Sequence, residues 1–332
     1  MNKRVFSFII TSAALLVLFF AAVNTGSLKV GFGELYRGLF VRYDENVATI
    51  YDLRFPRIFI AMTGGAATAV SGVLLQAVMK NPLADPGIIG VSSGATFTAV
   101  IVTAFFPTLF FMVPTFAFMG GMTAFVLVYS LSYNAGLNPL RMILVGVAVS
   151  AVFTGLMSAF NSGTGNTYSG AASIVNANIT MKTWTDFRVL AIYAVAGLTA
   201  SLFVLGQCNL LALEDKTARS LGVNVTKSRI TVSVVAVLLA SISTAIIGAI
   251  GFLGLVVPHI ARLLVGNNHK VLVPLYDAAR CVYATSGGYG RPDRCCAVRD
   301  KRFGYHVGYR RTVLYIPFKE VETQIWEMMY FL

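Results

Sequence analysis

The sequence predicts an all-α, polytopic membrane protein, and three observations carry that class. Hydrophobic residues make up 56% of the chain and charged residues 12%, with mean hydropathy +0.73; a typical soluble domain carries about 25% charged residues. Apolar runs near the roughly 20 residues that cross a bilayer recur along the chain. No ten-residue segments of alternating polarity accompany them, so a β-barrel is not indicated. Backbone groups in lipid must be satisfied within the segment, and the runs therefore read as helices.

The first run, 5–23, follows Lys3 and Arg4 and has the outline of a signal peptide. It lacks a convincing small-residue cleavage site and more spans follow, so it reads as the first helix. The next runs are 57–79, 88–106, 109–132, 140–160, 187–206 and 229–250. A shorter run covers 252–265, and another begins near Val271. Small residues recur every fourth position within them. Ala61, Gly65 and Ala69 form one stripe, with Gly64, Thr68 and Gly72 beside it; Gly146, Ser150, Thr154 and Ser158 form a second; Ala240, Thr244 and Gly248 form a third. Such stripes let helix backbones approach closely. Bundle packing explains them first, and a pathway lined by small side chains is the functional alternative.

The net charge of +12 would point to nucleic acid in a soluble protein. Here it reads as loop charge of the positive-inside kind, with no nucleic-acid partner. With the N-terminus in the cytoplasm, Lys3, Arg4, Lys80, Arg141, Lys216, Arg219, Lys227, Arg229, Arg262 and Lys270 fall inside. Lys29, Arg37, Arg42, Arg54, Arg57, Lys182 and Arg188 fall outside, an excess on that side that needs its own reason. Four cysteines lack metal-ligand spacing, so neither a metal site nor a disulfide is inferred.

What the spans lack narrows the function. Residues 58–79, 88–133, 142–181 and 230–258 contain no Asp, Glu, Lys, Arg or His. Proton and ion relays place such groups in the membrane, so an ion-coupled secondary transporter is disfavoured; sodium held by unwound carbonyls keeps it as the alternative class. No G-x-x-x-x-G-K-[ST] is present, and the chain does not bind ATP through a P-loop. Nothing points to catalysis by this chain. Energy for uphill transport must then enter from a separate subunit. The longest cytoplasmic segment, 207–229, offers a place: Glu214–Ser220 can form a short polar helix, Gly222 suits its C-terminal stop and Asn224 a turn. Two short helices along the membrane face would form a docking surface, against the plainer reading of a connecting loop.

Four stretches carry a resemblance. They are LRFPRIFIAMTGGAATAVSGVLLQAVMKNPLADPGIIGVSSGA (Leu53–Ala95), GAASIVNANITMKTW (Gly170–Trp184), LEDKTARSLGVNV (Leu213–Val225) and GAIGFLGLVVPHIARLLVG (Gly248–Gly266). Together they resemble the FecCD-type permeases, membrane subunits of ATP-driven importers for iron–siderophore complexes, haem and vitamin B12. The resemblance implies a type II ABC importer permease of ten helices in the bacterial cytoplasmic (inner) membrane. It implies a homodimer or a heterodimer with a related permease, with the pathway at the dimer interface. Two ATP-binding cassette subunits would bind ATP and magnesium, an extracytoplasmic substrate-binding protein would deliver the cargo, and this chain would hold no cofactor. An iron–siderophore is the expected substrate, with haem or cobalamin as alternatives.

Residue by residue, the resemblance places ATPase coupling at Glu214, Asp215, Ala218, Arg219, Leu221 and Gly222, and binding-protein docking at Arg54 and Arg57. The docking role would explain basic residues on the outer side. Asn81, Pro82, Asp85 and Pro86 match the break after the second helix, where the prolines disfavour helix at the preceding residues and Asp85 could cap the next one. Gly251, Gly254, Pro258 and His259 match the turn between the seventh and eighth helices. His259 reads as a packed or interfacial histidine. Gly65, Gly72, Gly146, Ser150, Thr154 and Ser158 are pathway or packing candidates.

The character of the chain changes near Leu275. Residues 1–275 hold 17 Lys/Arg and 8 Asp/Glu, whereas the 57 residues of 276–332 hold 9 and 6. The permease domain is therefore assigned to 1–275. A one-base shift in the codons for Gly308–Tyr315 permits Val-Ile-Gly-Ala-Pro-Phe-Phe-Ile, the same shift from Tyr276 permits Met-Thr-Leu-Leu-Gly, and over Gly288–Asp293 it permits Asp-Thr-Val-Gly-Arg-Thr. Residues 276–332 are accordingly expected to be a frameshifted translation of the ninth and tenth helices.

Overall fold

All regular structure among the described residues is helical. The computed structural model describes residues 13, 16–24, 30–40, 44–133, 139–164, 179–180 and 182–265, all within the first of the chain's two units, Met1–Asp293. The elements are α1 (16–24), α2 (Phe32–Phe40), α3 (Glu45–Leu53), α4 (Phe55–Met79), α5 (Val91–Phe105), a 3-10 segment (Pro107–Met112), α6 (Val113–Tyr133), α7 (Pro139–Gly163), α8 (Trp184–Leu211), α9 (Asp215–Ser220), α10 (Val225–Ile247) and α11 (Leu253–Val265). Residues 276–332, and most of the stretch 170–184, lie outside the described residues.

Among the described residues, five stretches are long and apolar enough to cross a membrane: Glu45–Met79, Pro107–Ser132, Leu140–Gly163, Trp184–Leu211 and Val225–Ile247. They coincide with the runs expected at 57–79, 109–132, 140–160, 187–206 and 229–250. The run expected at 88–106 contains a shorter helix, because turns occupy 86–90 and α5 starts only at Val91. The chain is thus a multi-pass membrane protein.

α4 sits at the centre. Of its 25 residues all but Arg57, Phe59, Met62 and Thr63 are buried, as expected of a helix that is apolar on every side. It packs on α10, α8 and α11, while α5 packs on α6. Small and hydroxylic residues set the α4–α10 contact. Thr68 Oγ1 donates to Ser243 Oγ at 2.7 Å, Ser243 Oγ donates to the Gly64 carbonyl at 2.8 Å, and Ser71 Oγ donates to the Ala236 carbonyl at 2.6 Å. Elsewhere Thr103, Thr123, Thr199 and Thr231 return their hydroxyls to the carbonyl four residues back. This satisfies them without a partner helix, as a lipid environment requires.

Candidate functional site

α4 links two groups of polar residues, one at each end. At its C-terminal end Lys80 adopts a left-handed conformation (φ 49°, ψ 34°), and the Lys80 and Asn81 N–H groups both reach the Gln76 carbonyl. This is the αL closure usually assigned to glycine. Lys80 Nζ donates to the Leu213 carbonyl and, at 2.7 Å, to Asp215 Oδ1. Arg229, in the first turns of α10, reaches the same oxygen at 3.1 Å. The hydrogen bond from Lys80 holds the Asp215 carboxyl below its ordinary value; partial burial opposes this, and the charges of Arg229, Lys80 and Arg219 add to it.

These contacts hold α9 in a short polar turn. Glu214 precedes it, Ala218 is its one buried residue at 1% exposure, and Gly222 (φ 79°) ends it. Asn224 then caps α10 by accepting the Lys227 N–H at 3.0 Å. Glu214, Lys216, Arg219, Ser220, Leu221 and Gly222 face outward, with Leu221 63% exposed. Where two short helices were expected, one six-residue helix and a turn suffice. α10 begins at Val225, directly after the turn.

The residues expected at the break and at the second turn come together. Asp85 is 1% exposed and accepts the Gly87 N–H at 2.8 Å through Oδ1. The expectation that Asp85 caps the next helix is corrected. It closes a local turn, while Gly90 (φ 88°) stands at the N-terminus of α5 without a side-chain cap. Gly254 packs against Asp85 and Pro86, where a Cβ would lie 2.8 Å from Pro86 Cδ. Gly72 packs on Gly254; a Cβ at Gly72 would lie 2.6 Å from the Gly254 Cα. Gln76 Nε2 donates to the Gly254 carbonyl at 3.2 Å, and its other amide atom accepts from Arg262. Asn81 Oδ1 accepts the Leu83 N–H at 2.9 Å. Pro82 stands in the same turn, Pro258 is buried within α11, and Gly251 and His259 are exposed.

The stripe on α7 divides. Gly146 lies against the backbone of Ile88 and Ile89, and Ser150 Oγ is 3.4 Å from the Gly87 carbonyl. Thr154 and Ser158 face outward with their hydroxyls turned back on their own helix. Gly65 and Gly72 are both buried inside the chain, Gly72 against the Gly254 backbone.

At the other end of α4, Arg54 NH1 donates to the Val23 carbonyl at the end of α1 at 2.5 Å. Arg54 and Arg57 are both half-buried. Beside them the Trp184 indole donates to the Tyr51 carbonyl at 3.2 Å, and Tyr51, Phe55, Phe59, Trp184 and Phe187 form a continuous ring cluster. Sequence reasoning passed over this cluster, the Lys80–Asp215–Arg229 group and the Gln76–Arg262 pair. Gln76 did leave a signal: it is the one amide side chain in an otherwise charge-free run.

A profile of the FecCD transport family matches residues 14–277. The "Probable heme-iron transport system permease protein IsdF" of Staphylococcus aureus strains Newman and USA300 is 38% identical over 273 residues, 82% of this chain and 83% of that protein. A solved structure of a metal-chelate type ABC transporter in an inward-facing conformation aligns with TM-score 0.71 and 26% identity, over 85% of this chain and 89% of that one. The helical bundle, the profile and the 38% identity agree: the chain belongs to the FecCD transport family and is a permease of the ABC importer kind.

Proposed function

We propose that this chain is the membrane-spanning subunit of an importer that carries an iron chelate across the bacterial cytoplasmic membrane. A separate ATPase pair energises it, and an extracytoplasmic binding protein feeds it. Within the family assignment, the observation that carries the ATPase partnership is α9. The turn is clamped from behind by Lys80 and Arg229 yet presents Leu221 and its polar flanks outward. Leu221 caps the C-terminus of this braced helix, where a docked partner would cover it. In this reading the α9 end faces the cytoplasm, and the Arg54 end faces out and meets acidic residues of the binding protein. The exposed Thr154–Ser158 side of α7 meets the second permease copy, where small side chains suit a bulky cargo held weakly.

Two cargoes remain in play. A ferric siderophore follows from the family resemblance as a whole. Haem is favoured by the name of the S. aureus relative at 38% identity. Cobalamin has no comparable support. Titration of the partner binding protein with haem and with ferric siderophores tests the cargo. Micromolar or tighter binding of haem alone supports the haem reading, and binding of a ferric siderophore with haem rejected supports the other. Residues 276–332 remain a proposed frame-shifted replacement of two further helices, supported by the family match ending at residue 277.

A further inference from the structure

Lys80 stands where the chain closes α4 in a left-handed turn, a conformation that glycine adopts without strain and lysine does not. Its ammonium crosses to a segment 135 residues away and holds both the Leu213 carbonyl, just before α9, and the carboxylate of Asp215, the first residue of α9. α9 has little else to fix it, since Ala218 is its only buried residue and Arg229 supplies the second ion pair. α4 itself is continuous over 25 residues, about 37 Å, and its far end carries Arg54 and Arg57. We propose that Lys80 is a positioning residue that fixes α9 to the end of α4, so that a shift of α4 is passed to the surface α9 presents. A link from the binding-protein end to the ATPase end rests on the importer reading above; the hold of Lys80 on α9 does not.

The test uses full-length protein in lipid nanodiscs, alone and in complex with its ATPase and binding protein. Lys80→Gly is the informative variant, because glycine relieves the left-handed backbone while removing the ammonium. The expected result is amide exchange across residues 213–222 that is roughly two- to five-fold faster, the range that follows from losing one half-exposed ion pair, with no loss of thermal stability. Lys80→Arg should restore most of the protection. In the complex, the ratio of ATPase activity with loaded binding protein to that without it should fall in Lys80→Gly and recover in Lys80→Arg. Unchanged exchange in Lys80→Gly, or a loss that Lys80→Arg fails to restore, overturns the proposal. If exchange behaves as expected but wild-type ATPase activity ignores the loaded binding protein, the importer reading fails and the hold on α9 stands.

Discussion

At Gly72 a single methyl group is decisive, because the Gly254 backbone occupies the place a Cβ would take. Gly72→Ala should destabilise the chain by about 1–3 kcal/mol, the usual cost of overpacking a close backbone contact, measured by thermal unfolding in detergent. Gly206→Ala on α8 is the control: a Cβ there meets nothing within 4 Å, and stability should hold or rise slightly. Asp215 makes a second prediction at this scale. Its folded pKa is depressed, so the stabilisation it contributes is present above the unfolded value, about 3.9, and is lost as pH falls through the lower folded value. Protection of residues 215–220 against exchange, corrected for the intrinsic pH dependence of the rate, should therefore stay level from pH 8 to pH 5. Loss of protection already near pH 6 would contradict the arrangement of Lys80, Arg229 and Arg219 around that carboxylate.

At the scale of elements, α9 separates docking from folding. Leu221→Asp changes an exposed side chain, and stability should move by no more than about 0.5 kcal/mol. Binding to the ATPase subunits should nevertheless weaken at least several-fold, as measured by pull-down with purified components. Ala218→Asp drives a charge into the one buried position of the helix and should loosen α9 itself, seen as faster exchange across the turn. Normal coupled transport in both variants would count against α9 as the coupling element. At the opposite end of α4, reversing Arg54 and Arg57 together should lower affinity for the binding protein. Arg54 also holds the Val23 carbonyl, so the comparison belongs with Arg37→Glu, an exposed arginine on α2 whose reversal should act on encounter alone.

Across the whole molecule, the spans were legible because apolar length and the absence of charge are local properties, and α4, α6, α7, α8 and α10 all fall where the runs predict them. The end of α9 was legible too, since Gly222 and Asn224 act on their immediate neighbours. The hold of Lys80 on Asp215 and the packing of Gly72, Asp85 and Pro86 on Gly254 were not, because each joins residues more than 130 positions apart and leaves no period behind. The half-and-half fate of the α7 stripe escaped for a related reason. Four-residue spacing identifies a helix face but not what lies opposite, so Gly146 and Thr154 look alike until Ile88 is found against one of them. The coding DNA around codon 275 bears on the remainder of the chain: an apolar alternative reading of 276–332 is expected, and an uninterrupted frame without one would contradict it. The central claim is that this permease moves an iron chelate at the expense of ATP hydrolysed by a partner, and uptake of labelled chelate into sealed vesicles holding the permease and its ATPase tests it most directly. The account predicts accumulation that requires both internal ATP and the external binding protein and survives collapse of ion gradients; accumulation driven by an ion gradient without ATP would contradict it.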